Sequence, residues 1–107
     1  MTVNVKNVQT LIDHYKALPG VPTWSYRHCV AGVLANLGII EDYTWEHHYD
    51  IADALGIDLG QTLTIIYGDS YFYLNDTDTK RRDVVVNMLE GLLATGTVNW
   101  RYIPDPI

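Results

Sequence analysis

Apolar residues in the first part of the chain recur at steps of three and four, which is the repeat of a helix with one buried face. In residues 4–17 the apolar positions on this repeat are Val5, Val8, Leu11, Ile12 and Tyr15. Pro19 and Gly20 follow directly, and both residues end helices. The pattern therefore predicts an amphipathic helix over residues 4–17.

A second helix is expected from about Tyr26 to Leu37, with Ser25 as its N-cap and Gly38 at its C-terminal end. One face carries small residues, which would let another backbone approach closely, and the other face carries bulky ones. The small residues are Cys29, Ala31, Gly32 and Ala35, and the bulky ones are Val30, Val33, Leu34 and Leu37. We expect this helix to be the central one.

Two shorter helices are predicted in the middle of the chain. Thr44 is a reasonable N-cap for the third helix, which Gly56 ends. Its apolar stripe comprises Trp45, His48, Ala52 and Leu55. Asp58, with Gln61 three residues later, resembles a capping box and starts a fourth helix that runs to Gly68. Its inward positions would be Leu59, Leu63 and Ile66.

Residues 62–75 allow more than one secondary structure. The β-branched run from Thr62 to Ile66 makes a strand a competitor of the fourth helix. The aromatic segment Ser70 to Asn75 could be extended, but no clear strand partner lies nearby, and we interpret it as a packed loop. A short extended segment within residues 62–75 therefore stays open.

The longest predicted helix begins at Asn75 or Asp76 and runs to about Thr95, before Gly96. It would bury Val85, Met88, Leu89 and Leu92. Residues 97–107 contain Pro104 and Pro106 and are expected to dock as a tail through their aromatic side chains. The predicted fold is thus an all-α bundle of about five short helices, forming a single domain over residues 1–107.

Composition narrows the classes of function. Seven Lys and Arg face thirteen Asp and Glu, giving a formal charge of -6, which disfavours binding to nucleic acid and to anionic membranes. The first ten residues lack the pattern of a signal peptide, and no stretch is long and apolar enough to cross a membrane. The single cysteine agrees with a reducing compartment. We expect a cytoplasmic protein.

Cys29 is the sharpest candidate for catalysis, because a thiol in the first turn of a helix lies at the positive end of the helix dipole. His28 is adjacent in sequence, and His48 is the histidine best placed on an apolar stripe. Cysteine hydrolases, however, need a histidine aimed at the sulfur, usually from a distant strand. A buried structural cysteine is the better interpretation, so no catalytic residue is assigned.

The densest set of candidate metal ligands comprises Glu46, His47, His48, Asp50 and Asp53. Adjacent histidines on a helix point about 100° apart and cannot chelate from one face. We therefore interpret His48 as half-buried and the other four as a solvated face, and we predict neither a metal site nor a cofactor.

Aromatic residues are the remaining functional signal. Three Trp and eight Tyr cannot all be buried in so small a domain, and exposed Tyr and Trp are typical of protein interfaces. Acidic charge beside them favours a basic protein partner. The residues predicted to contact that partner are Trp45, Glu46, Tyr49, Asp50, Asp53, Tyr71 and Tyr73.

Three short motifs resemble a group of small uncharacterised proteins of bacteria and their phages. They are Cys29-Val30-Ala31-Gly32, the segment Ile51 to Ile57, and the segment from Leu92 to Trp100 that ends in Thr-Gly-x-Val-x-Trp. The likeness covers about residues 24–100, and the Tyr-rich middle departs from it. It brings no established activity, but it implies a helical accessory protein, encoded by a phage, that binds or inhibits a host or defence protein in the bacterial cell.

The function predicted from the sequence is therefore binding of a protein partner without catalysis. Two alternatives stay open: a small thiol enzyme or hydrolase centred on Cys29 with His28 or His48, and a metal- or ligand-dependent regulator that uses the helix from Glu46 to Asp53.

Overall fold

Every regular element of the structure, a computed structural model that describes residues 2–18, 29–41, 48–73 and 78–98, is an α-helix. The five helices in these ranges are α1 (Val5–Ala17), α2 (Val30–Asn36), α3 (His48–Leu55), α4 (Leu59–Tyr73) and α5 (Asp78–Thr95). The Cα radius of gyration is 12.7 Å, near the ~13 Å of a compact domain of about 100 residues. The predicted all-α fold is confirmed.

Helix α1 follows its predicted bounds closely. The side chain of Asn4 accepts a hydrogen bond from the backbone N–H of Asn7 at 3.0 Å and caps the first turn. Val8, Leu11, Ile12 and Tyr15 are buried, whereas Val5 is 61% exposed. The helix ends where Leu18 becomes extended, as the residue before a proline prefers.

Helix α2 is shorter than predicted. Cys29 has an extended backbone, with φ -70° and ψ 159°, and α2 begins one residue later. The prediction of a helix already formed at Cys29 is therefore wrong, while Ser25 and Tyr26 lie outside the described residues. Gly38, at φ +74°, ends the helix as expected.

Helix α3 buries Ile51, Ala52 and Leu55. Its stripe is thus confirmed at Ala52 and Leu55, and its first residue, His48, is half-buried. Thr44 and Trp45 lie outside the described residues.

Helix α4 runs through residues 59–73, so the strand and loop interpretations are wrong up to Tyr73, and Leu74 and Asn75 lie outside the described residues. The β-branched run is helical because Thr62 and Ile65, one turn apart, are both fully buried. The hydroxyls of Thr62 and Thr64 also donate to carbonyls four residues back, at 3.1 and 3.0 Å, which places these polar groups inside a helix without loss of hydrogen bonds.

The buried face of α4 differs from the predicted one. Leu59, Leu63 and Ile66 are only half-buried, and within residues 59–66, where the structure gives the side chains, the fully buried positions are Thr62 and Ile65. At the start of α4, the Asp58 carboxylate accepts from the backbone N–H of Gln61 at 2.8 Å, so the predicted cap is confirmed.

Helix α5 is the longest of the described helices and packs most extensively against its neighbours. It packs against α1 and α4, whereas α3 packs against α4 and α1, and α2 packs against α1. Val85, Met88, Leu89 and Leu92 are at most 1% exposed, as predicted. The expectation that α2 is central is wrong, because seven residues provide two turns of contact surface and the 18 residues of α5 provide five.

Two contacts link distant parts of this arrangement. The Lys16 ammonium lies 2.7 Å from a Glu90 carboxylate oxygen and joins α1 to α5. The N–H of Val98, which is 8% exposed, donates to Gln61 Oε1 at 2.6 Å. The chain after α5 therefore returns to the start of α4, and residues 99–107 of the predicted tail lie outside the described residues.

In the ranges that the structure describes, no helix is both long enough and apolar enough to span a bilayer.

Candidate functional site

An open cleft lies where the first turn of α1, the outer face of α3 and the segment after α2 meet. Its volume is about 560 Å³. Among the residues that the structure describes, those that line it are Asn4, Asn7, Ile39, Ile40, Glu41, Asp50, Asp53 and Ala54. Three of these eight side chains are carboxylates and none is a lysine or arginine, so the cleft is acidic. We call it the acidic cleft.

One wall of the acidic cleft is the solvent-facing side of α3. Asp50 and Asp53 are three residues apart and therefore share a helix face. Both are exposed, while Ile51 and Leu55 on the other side of the same helix are at most 1% exposed. Burial of that apolar side fixes the direction in which the two carboxylates point.

A second part of the lining comes from the chain that leaves α2. The N–H of Gly38 donates to Ala35 O at 3.0 Å, and the N–H of Ile39 donates to Leu34 O at 2.9 Å. This pair of bonds is a Schellman motif, which reverses the chain direction after a helix. Ile40 is consequently buried at 7% exposure, and Glu41 is exposed at the rim.

The third side of the cleft is where α1 meets the end of α3. The last four carbonyls of a helix have no partner within the helix. In α3 the first two of these, on Ala52 and Asp53, accept from the N–H groups of Ile57 at 3.0 Å and Gly56 at 3.3 Å. These bonds form a second Schellman motif.

The other two carbonyls of α3 are satisfied from the N-terminal end of the chain. Asn7 Nδ2 donates to Ala54 O at 2.7 Å, and the backbone N–H of Asn4 donates to Leu55 O at 2.9 Å. All four C-terminal carbonyls of α3 are thus paired, and two of the donor residues, Asn4 and Asn7, also line the cleft.

Only part of the predicted binding surface is found at the cleft. Asp50 and Asp53 line it, and Tyr49, one residue earlier in sequence, is 68% exposed. Trp45 and Glu46 lie outside the described residues. Tyr71 and Tyr73 lie in the last part of α4, where the structure gives the backbone but not the side chains.

Sequence reasoning missed the residues that complete the cleft. They are Asn4, Asn7, Ile39, Ile40, Glu41 and Ala54. The capping pattern at the start of α1 singles out Asn4, but nothing local to the sequence places it against α3. The cleft exists only because three separate segments meet on folding.

Cys29 is the N-cap of helix α2. Its Sγ accepts a hydrogen bond from the backbone N–H of Gly32 at 3.4 Å, and the side chain is half-buried. It is not among the residues that line the acidic cleft. His28, its neighbour in sequence, lies outside the described residues.

The candidate metal ligands are likewise only partly described by the structure. Glu46 and His47 lie outside the described residues, and His48, Asp50 and Asp53 lie on α3. In the part of the chain that the structure describes, no three His, Cys, Asp or Glu side chains converge as metal ligands would.

Comparison with protein-family models, with curated proteins and with solved structures found no match to this chain.

Proposed function

We propose that this chain is a non-enzymatic binding protein and that its acidic cleft receives a basic segment of a protein partner. The observation that carries the proposal is the acidic cleft itself, which is lined by Glu41 from the segment after α2 and by Asp50 and Asp53 from α3. Carboxylates that line one concavity attract a cation more strongly than the same charges spread over a convex surface, because the low-dielectric walls focus the field.

Lysine and arginine side chains suit both the negative charge of the acidic cleft and its apolar lining residues. Their aliphatic stems pack on apolar surface while the charged heads reach for anions. Ile39 and Ala54 provide apolar contact beside the carboxylates. A volume of about 560 Å³ is within the roughly 300–1,000 Å³ of ordinary ligand sites and suits a short segment of chain.

The net charge of the chain supports the same class of partner. A formal charge of -6 speeds encounter with basic proteins and slows it with acidic ones. Tyr49 would add contact area next to the cleft, because a tyrosine that is 68% exposed has a large apolar ring still to bury. Trp45, Glu46, Tyr71 and Tyr73 complete the proposed contact surface.

The biological setting of the proposal comes from the resemblance to small phage and bacterial proteins. In that setting the partner is a host or defence protein, the chain is its inhibitor, and the two meet in the bacterial cytoplasm.

A titration with a lysine decapeptide tests the proposed binding chemistry. The double variant Glu41→Gln/Asp53→Asn removes two carboxylates from the cleft, and Asp13→Asn/Asp83→Asn removes two exposed carboxylates elsewhere. Both variants change the net charge by the same amount. We expect the cleft variant to bind about tenfold more weakly and the control variant about twofold or less, with affinity falling as salt rises.

Equal losses in the two variants would show that the decapeptide senses only the net charge of the protein. That result would contradict a binding site in the acidic cleft. No binding to the unmodified chain would contradict the proposed basic partner altogether.

A further inference from the structure

The residues before α1 contact the C-terminal end of α3. Helix α3 has only eight residues, and helices this short are unstable without contacts to the rest of the protein. The N–H of Asn4 satisfies the last carbonyl of α3, on Leu55, at 2.9 Å. We call residues Thr2, Val3 and Asn4 the N-terminal strap.

The strap lies unusually close to the end of α3. A Cβ built on Gly56 would overlap the carbonyl oxygen of Thr2 and would lie 2.8 Å from the backbone nitrogen of Asn4. The contact therefore depends on the absence of a side chain at Gly56. Backbone is packed on backbone at this point, without a layer of side chains between them.

Of the segments in this contact, the strap is the one whose detachment requires the least free energy. Thr2 and Asn4 are exposed and Val3 is half-buried, whereas Val8 in α1 and Leu55 in α3 are fully buried. Segments with few buried apolar contacts open at much lower free energy than the core does. The strap can thus detach while α1, α4 and α5 stay packed.

We propose that the N-terminal strap is a detachable clamp that sets the order of the last turn of α3 and closes one side of the acidic cleft. When the strap is attached, the carbonyl of Leu55 is paired and Asn4 lines the cleft together with Asp53. When it detaches, Leu55 O turns to water, the last turn of α3 frays, and the side of the cleft formed by Asn4 is lost. The inference does not depend on the proposed partner.

Hydrogen exchange measured by mass spectrometry tests the clamp in the protein without any ligand. Asn4→Pro removes the N–H that bonds Leu55 O and places a ring carbon there, and the Asn4 φ of -80° is compatible with proline. Asn4→Ala is the matched control, because both variants lose the side-chain cap of α1 but only Asn4→Pro loses the N–H.

We expect the amides of Gly56 and Ile57, which close the last turn of α3, to exchange at least about fivefold faster in Asn4→Pro than in Asn4→Ala. Exchange in α5 from Val85 to Leu92 should be the same in both. Equal exchange at Gly56 and Ile57 in the two variants would overturn the proposal. So would an equal acceleration in α5, since that indicates loss of global stability.

Gly56→Ala keeps the test decisive if Asn4→Pro does not fold. Its Cβ would overlap the carbonyl oxygen of Thr2 and displace the strap, and Gly38→Ala, whose Cβ would meet nothing within 4 Å at nearly the same φ, is its control. The N–H groups of Ile57 and Ile39 hold equivalent positions in the two Schellman motifs. Faster exchange at Ile57 in Gly56→Ala than at Ile39 in Gly38→Ala, each relative to the unmodified chain, supports the clamp, and equal acceleration overturns it.

Discussion

Among the described residues, three glycines end helices with almost the same backbone conformation and different surroundings. Gly38, Gly56 and Gly96 have φ values of +74°, +69° and +78°. The sequence predicts all three as helix ends, because glycine after an apolar repeat is the usual stop signal. Around Gly38 and Gly96 an added Cβ would meet nothing within 4 Å, whereas at Gly56 it would meet the N-terminal strap. That contact joins residues far apart in sequence, so no local pattern reveals it.

Substitution of these glycines separates backbone strain from the contact with the strap. We expect Gly38→Ala and Gly96→Ala each to lower the free energy of unfolding by about 1–2 kcal/mol, the usual cost of a left-handed conformation. Gly56→Ala should cost roughly 3 kcal/mol, because overlap with backbone atoms is added to the same strain. Urea denaturation of the three variants measures the difference. Equal losses at the three positions would contradict the close approach of Thr2 to Gly56.

At the scale of helices, predictability follows the strength of the local signal. Helices α1 and α5 have a clear apolar repeat and a stop signal, and the residues predicted for their buried faces are buried except Val5, which is 61% exposed. The interpretation of residues 62–75 failed because β-branched propensity is weak beside tertiary packing, which buries Thr62 and Ile65 completely. The start of α2 was misplaced because its cap is Cys29, a residue outside the usual capping set.

The start of α4 has a second role that the capping pattern did not predict. The Asp58 side chain caps the helix as expected, but the Gln61 side chain accepts from the N–H of Val98 at 2.6 Å. This bond attaches the chain after α5 to the first turn of α4. It pairs the N–H of a residue that is 8% exposed and has little access to water.

Loss of the Gln61 acceptor should therefore destabilise the fold. We expect Gln61→Ala to lower the free energy of unfolding by about 1–3 kcal/mol, because the Val98 N–H is left buried without its partner. Gln61→Glu keeps an acceptor oxygen within reach of the Val98 N–H and adds a negative charge near a helix N-terminus. We therefore expect it to lower the free energy of unfolding clearly less than Gln61→Ala does. Thermal or urea unfolding measures the stability of both variants. A Gln61→Glu variant as unstable as Gln61→Ala would contradict the role of this bond.

At the scale of the whole molecule, the acidic cleft combines what the sequence predicts with what only folding supplies. The α3 contribution, Asp50 and Asp53, follows from a polar helix face and was predicted as part of a binding surface. Glu41 comes from the chain after α2, and Asn4 and Asn7 come from the start of α1. Charge and composition thus predict the class of partner, and the meeting of three segments determines where that partner would bind.

Chemical-shift mapping tests this account most directly. The ¹⁵N-labelled chain would be titrated with the lysine decapeptide, and the backbone amide shifts of every assigned residue would be followed. We predict that the largest changes occur at the residues of the acidic cleft, among them Asn7, Glu41, Asp50 and Asp53, and that they weaken as salt is added. Changes centred on another surface, or no changes at all, would contradict the proposal that the acidic cleft binds a basic partner.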